Sequence, residues 1–461
     1  MTVPGVDETY REAVEIVLRT MVKAEKIKPT QYARRLVLRE VKPSREARSI
    51  SAGMLYTIMQ KRGLLDEIVT DVLELADDVA DLDRWVRNAC RIAANEVVFE
   101  GKDAREVAEV LHDLVRRLDN PGAAAIVKAF TLDLEGYEPP EPEDELDRLK
   151  WEYYHPRWLI ERWLEMLGDE EEVLRLLEAN NTEPPLCIRV NTLRIEPREL
   201  AERLEERYGV TVKPGRFLEE ILRIPEGLPI AVMDEWDEGL FVVQDEAAAL
   251  ASAVLNPRPG EVVVDLCAAP GGKTTHMAQL MGCEGRIIAI DVDETRMDRL
   301  VEIADRLGVL DCIETHLMDG REAPEELGEE FADAVLVDPP CSADGTIRKN
   351  PERRWRITPD ELERLPGFQL ELLEAGARLV RPGGRLVYST CSMFPEEDEE
   401  VVRRFLERHP DFELIDVDVG DPGFDMPEAC RLFPHRHDTC GFFIALLGRT
   451  GRGEARADSE A

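Results

Sequence analysis

Two cysteines stand where a reactive thiol would be useful. Cys341 follows the apolar run AVLVD (334–338) within Asp338-Pro339-Pro340-Cys341, and Cys391 follows RLVYS (385–389) within Ser389-Thr390-Cys391-Ser392. Short apolar runs bounded by turn residues read as buried strands, so each thiol falls at the carboxyl end of a strand. In open sheets of parallel strands, ligands bind beyond that end. A thiolate there can add to carbon 6 of a pyrimidine, which turns carbon 5 from a poor nucleophile into an enamine-like one. The proton on carbon 5 must leave afterwards and the enzyme must be expelled, so a second group is useful. Asp338 is suited to hydrogen-bond ring N3 and help protonate it as the thiolate adds. An inert buried thiol is the ordinary state of free cysteine, and that reading suits Cys90, Cys187, Cys283 and Cys312.

A second constellation lies upstream. VVVDLCAAPGGKTTHMAQL (262–280) runs strand, glycine-bearing turn and helix in succession. Gly271 and Gly272 let backbone approach a ligand, and the helix start offers unpaired N–H groups. The GxGxxG of a dinucleotide fingerprint is missing, and Cys267 stands where a GxxxxGK[ST] phosphate loop needs its first glycine. Acids on the later strands decide the matter. Asp291 lies 19 residues beyond Gly272, where a carboxylate can accept from both ribose hydroxyls, and Asp319 can meet an adenine edge. A triphosphate would not favour two carboxylates without a metal. An adenosine-containing cofactor fits, and S-adenosylmethionine would supply the methyl group that an activated carbon 5 attacks.

The elements that must position these residues follow from the pattern. Apolar runs at 262–266, 286–290, 312–317, 334–338 and 385–389, separated by helical segments, predict an α/β, Rossmann-like, doubly wound sheet over 241–449. Residues 151–240 alternate short strands and helices and read as a small α+β domain; 138–150 is an acidic, proline-rich linker; 1–137 is all helical, with five to seven helices and no strand; 450–461 reads as a disordered tail.

Composition sets limits. Asp plus Glu number 96 against 58 Lys plus Arg, a net charge of −38. Such charge repels a polyanion at long range, unless a high-salt cytoplasm screens it to about 3 Å. The basic residues that remain cluster in GTIRKNPERRWR (345–356), where Arg348, Lys349, Arg353, Arg354 and Arg356 surround Trp355. That run is expected to meet RNA phosphates and stack on a base, with Arg189 and Arg194 as secondary contacts. The target base would have to be single-stranded or flipped. Nine cysteines without regular spacing argue for reduced thiols and against a zinc site. No apolar stretch spans a membrane and the N-terminus has no signal-peptide pattern, so a cytoplasmic protein is expected.

The motifs QDEAA, DLCAAPGGKT, AIDVDETR, DGR, DPPCSADGTIRKNP, STCS and RLFPHRHDTCGFF, across 240–447, resemble the Nol1/Nop2/Sun family of RNA cytosine-5 methyltransferases. The resemblance implies Cys391 as the nucleophile and Cys341 as the group that assists product release. It also implies cofactor contacts from Cys267, Ala268, Ala269, Pro270, Gly271, Gly272, Lys273, Asp291, Arg296, Asp319 and Asp338. The stretch from HPRWLIERW to QDEAA is similar to the family's RNA-binding extension, and 1–137 resembles a NusB-like domain. That last likeness favours ribosomal RNA over transfer RNA, methylated by a monomer. Cys440 departs from the family pattern, which carries an acid there. Three rivals are a DNA cytosine-5 methyltransferase using Cys341, an RNA-binding ribosome assembly factor that does not need catalysis, and an ATPase.

Overall fold

The computed structural model describes residues 7–27, 30–76 and 79–451. They divide into two compact units. One comprises the chain up to Val173 together with Arg354–Arg356, and the other comprises Leu174–Arg353 and the chain from Ile357 onward. The expected disordered tail lies, but for Thr450 and Gly451, outside the described residues.

The first unit contains no strand among its described residues. Up to residue 137 it has six α-helices, Glu8–Ala24, Thr30–Val41, Arg45–Val72, Arg84–Ala94, Ala104–Leu118 and Pro121–Asp133. Their starts are written in local chemistry. Asp7, Asp83, Asp103 and Asn120 each accept the backbone N–H two or three residues on, which satisfies donors that the helix leaves orphaned, and Pro121 follows its cap at a position where proline costs no hydrogen bond. Val14, Val17, Leu18, Ile58, Leu65, Ile92, Leu111 and Phe130 form the core. A helix already begins at Glu145, capped by Asp144. The linker expected over 138–150 is therefore shorter than its composition suggests, because Asp144 supplies a helix start that the proline count masks.

The second unit holds two sheets. The smaller is antiparallel, in the order β2–β3–β1–β4, where β1 is Leu186–Val190, β2 Lys213–Pro214, β3 Ile221–Ile224 and β4 Phe241–Val243. In the larger, β5 (Val262–Asp265), β6 (Arg286–Asp291), β7 (Ile313–Leu317), β8 (Ala332–Val337) and β9 (Val380–Thr390) are parallel, in the order 9-8-5-6-7. Each of the five overlaps one of the predicted runs. The order reverses beside β5, and such a switch point opens a crevice at the strand carboxyl ends. Four further strands, β10 (Phe412–Ile415), β11 (Asp421–Gly423), β12 (Met426–Leu432) and β13 (Phe442–Arg449), extend the sheet antiparallel from β9. They lie beyond the runs predicted from sequence.

Successive residues point to opposite faces. Val263, Ile287, Ala334, Leu336, Val387 and Ile444 pack on one face, and Val264, Ile288, Val335, Val337, Leu386 and Phe443 on the other. Both faces are covered, which is why these strands read as continuous apolar runs rather than alternating ones.

One expectation is overturned here. Cys283 and Cys312 are bonded to each other, with their Cα atoms 5.6 Å apart. Each lies just before the amino end of a strand, and β6 and β7 are parallel neighbours. Register therefore brings together two thiols that are 29 residues apart in sequence.

Candidate active site

β5 ends in Asp265, and the chain then wraps through Leu266–Gly271 into the helix Gly272–Leu280. Gly271 has φ +101°, and a Cβ there would sit 2.8 Å from Leu300 Cγ. Both the positive φ and the close approach require glycine. Asp291 at the end of β6 is buried; one of its oxygens accepts the Ala269 N–H at 3.0 Å and the other the Asp293 N–H at 3.0 Å. The carboxylate thus shapes the loop it faces. Arg296 donates to the Ala269 carbonyl and lies 3.9 Å from Asp291. Asp319 caps the turn after β7 and is clasped by Arg321 at 2.6 Å, which holds its carboxyl below the usual range.

Lys273 turns to the next strand. Its Nζ lies 2.7 Å from Asp338 Oδ2, and Ser389 Oγ donates to Asp338 Oδ1 at 2.9 Å. Burial alone would lower the lysine's pKa, but the Asp338 carboxylate outweighs it and the ammonium is held charged. Cys391 and Asp265 add to the same field. Cys267 borders the loop, and burial pushes its thiol well up, with Asp265, Asp338 and Asp291 adding to the effect.

The two strand-end thiols meet. Cys341 Sγ and Cys391 Sγ are 3.3 Å apart. The proton of Cys341 is held well above the ordinary thiol range, first by its hydrogen bond to Cys391 and then by burial. Either sulfur can donate in this contact. Gly345 draws the loop after Cys341 onto this pair: its N–H donates to the Cys391 carbonyl at 3.1 Å, and its carbonyl accepts from Gly441 N–H at 2.8 Å. A Cβ at Gly345 would lie 2.2 Å from the Gly441 oxygen.

Arg348, Lys349, Arg353 and Arg354 of the basic run each meet a partner within the protein. Arg348 is buried against Asp438, 2.6 Å away, and donates to the Thr182 carbonyl. Lys349 pairs with the half-buried Asp245 at 2.9 Å. Arg353 donates to the Ser342 carbonyl and pairs with Glu361 at 3.4 Å. In the first unit, Arg354 is 0% exposed and donates to the carbonyls of Tyr153 and Tyr154, while the Trp355 indole donates to the Gln60 carbonyl at 2.7 Å and its ring covers Gly63. Arg356 belongs to the same unit. In so acidic a chain, carboxylates and carbonyls claim these cations first. The secondary contacts go the same way: buried Arg189 donates to the Gly272 carbonyl at 2.7 Å, to Thr275 and to Gln244, and Arg194 donates to the Arg306 and Glu238 carbonyls. Arg189 braces the loop at 267–273. Cys440 is buried, its thiol 3.3 Å from Asp245.

Sequence reasoning passed over Asp265, Ser389, Gln369 and Glu397. Asp265 is buried, and burial raises its pKa to about 7; its Oδ1 has no hydrogen-bond partner. Glu397, in the acidic run PEEDEE, reads as solvated but is fully buried. The signal was its position, six residues after Cys391.

Sheet order, glycine-bearing first turn and carboxylates at successive strand ends define a methyltransferase of the Rossmann-like class. Residues 252–448 match the family model described as 16S rRNA methyltransferase RsmB/F, and 155–231 match the RsmF/B-like ferredoxin-like domain. A Bacillus subtilis protein named probable ribosomal RNA small subunit methyltransferase B is 31% identical over 95% of this chain and 98% of its own length. The solved structure of PH0851 superposes with a TM-score of 0.89 at 38% identity, covering 97% of this chain and 99% of that one. NSun6 from Pyrococcus horikoshii, solved with SFG, gives a TM-score of 0.58 at 27% identity over 64% of this chain and 98% of that one. The chain belongs to the RsmB/F methyltransferase family.

Proposed function

We propose that this enzyme methylates carbon 5 of a cytidine in small-subunit ribosomal RNA, with S-adenosylmethionine as donor and Cys391 as covalent nucleophile. The observation that carries the reading is the pair of thiols 3.3 Å apart at the carboxyl ends of β8 and β9.

The residues present suit the cofactor. Asp265 offers a buried acceptor without a partner, of the right sign for an amino-acid ammonium. Val292 and Leu317, 67% and 56% exposed beside Asp291 and at the end of β7, offer apolar surface for a purine. Asp291 would hold the ribose, and the Cys267–Lys273 loop would close round the cofactor. Bound there, S-adenosylmethionine supplies an electrophilic methyl group.

The chain's own groups would do the rest. The Cys391 thiolate forms a bond to carbon 6 of the cytosine, and the displaced ring electrons are taken up as N3 gains a proton that Lys273 relays through the Asp338 carboxylate. Lys273 orients that carboxylate. Carbon 5 then takes the methyl group. Once the Cys391 sulfur is bonded to carbon, the Cys341 thiol gives its proton to water. As a thiolate, Cys341 accepts the carbon 5 proton, the C5=C6 bond re-forms, the bond to Cys391 breaks with its electrons returning to sulfur, and N3 returns its proton through Asp338 to Lys273.

We read the helical residues 1–137 as a NusB-like domain and 151–240 as the RNA-positioning extension, and the relative's name favours ribosomal over transfer RNA. Labelled methyl transfer to small-subunit RNA, followed by nucleoside analysis, tests the reading. Labelled 5-methylcytidine is expected. Label on another nucleoside overturns the chemistry, and no transfer with tight RNA binding favours an assembly factor.

A further inference from the structure

The catalytic sulfurs stand on two separate strand-end loops, and neither loop alone fixes their spacing. Each cysteine is followed by a serine, and one buried side chain reaches both serines. Glu397 Oε2 accepts the Ser342 N–H at 2.8 Å, while its Oε1 accepts the Ser392 hydroxyl at 2.8 Å. Gln369 Nε2 donates to the same Oε2 at 2.8 Å and to the Pro340 carbonyl at 3.1 Å, tying in the residue before Cys341. The two serine hydroxyls lie 3.1 Å apart, and the Glu397 carbonyl accepts from Tyr388 on β9 at 2.6 Å.

We propose that Glu397 is a positioning residue that sets the distance between the Cys341 and Cys391 thiols, a role that rests on both acting in one reaction. A buried carboxylate is tolerable only when its hydrogen bonds are made. Here they are made only with both loops in place, so the side chain couples the two. Cys391 must reach carbon 6 while Cys341 reaches the proton on the adjacent carbon, and a loop displaced by about 1 Å costs such a reaction about a hundredfold.

Phenylarsine oxide reads the spacing without turnover. Its arsenic bonds two neighbouring thiol sulfurs, and both thiol protons leave with the oxide oxygen as water. Titration of the full chain, with Cys341→Ala subtracting binding at other cysteines, should show one tight site. Glu397→Ala should weaken that site by roughly tenfold and lower kcat by about a hundredfold, with KM for RNA and for S-adenosylmethionine little changed. Glu397→Gln should recover most of both, because its amide oxygen can keep the Ser342 and Gln369 bonds while its NH2 donates to the rotatable Ser392 hydroxyl. If Glu397→Ala does not fold, Ser392→Ala carries the test by removing one arm. Wild-type arsenical affinity and kcat in whichever of these two variants folds would overturn the inference. Retained turnover in Cys391→Ala would instead overturn the catalytic reading and leave the thiol spacing as measured.

Discussion

Asp265 shows what a residue's surroundings do to its chemistry. Its carboxyl closes β5 with Thr274 donating to one oxygen at 2.7 Å, and burial raises its pKa to about 7, against about 4 in an unfolded chain. The acid form is favoured in the fold, so its contribution to stability is complete below about pH 4 and is lost as pH rises through about 7. Asp265→Asn cannot ionise. By thermal melting, the variant should match wild type near pH 4–5 and exceed it at pH 8. A bound ammonium favours the ionised form, so wild-type affinity for S-adenosylhomocysteine should strengthen between pH 6 and 8, and the Asn variant should lose that trend. Flat wild-type affinity across the range would remove Asp265 from the cofactor site. In the proposed reaction Asp338 acts on the base, and Asp338→Asn keeps the Ser389 bond but not the Lys273 ion pair. Single-turnover methylation should slow roughly 10²–10⁴-fold, while cofactor binding by calorimetry changes far less.

At the scale of elements, the parallel strands were legible because both faces are buried, leaving long apolar runs that end in Asp265, Asp291, Asp338 and Cys391. The thiol pair was legible for the same reason: two strands of one parallel sheet end on one side. Neighbourhood is what the sequence hides. Nothing in GTIRKNPERRWR marks which of its cations already have partners, and most of those partners, Asp245, Asp438 and the Tyr153 carbonyl, are distant in sequence. The Cys283–Cys312 bond was hidden likewise, since it depends on β6 lying beside β7. It closes a loop of 29 residues, and a cross-link of that span stabilises by roughly 3–4 kcal/mol in the chain-entropy account. Reduction, or Cys283→Ser with Cys312→Ser, should lower the melting temperature by several degrees without changing kcat at 25 °C. Equal melting of oxidised and reduced protein would show that the bond is not formed in solution.

At the scale of the whole molecule, charge dominates. A chain at −38 repels itself as well as RNA, and salt shortens that repulsion from about 10 Å at 0.1 M to about 3 Å at 1 M. Melting temperature should therefore rise from 0.1 to 2 M KCl, and a flat or falling profile would remove the high-salt reading. Within this field Lys273 sits beside Asp338, a local arrangement that the net charge conceals. Which sulfur bonds to the RNA decides the mechanism. Cys341→Ala, incubated with small-subunit RNA and S-adenosylmethionine, should accumulate a denaturation-resistant RNA adduct, and peptide mapping should place it on Cys391. An adduct mapped to any other cysteine, or turnover that persists in Cys391→Ala, would contradict it.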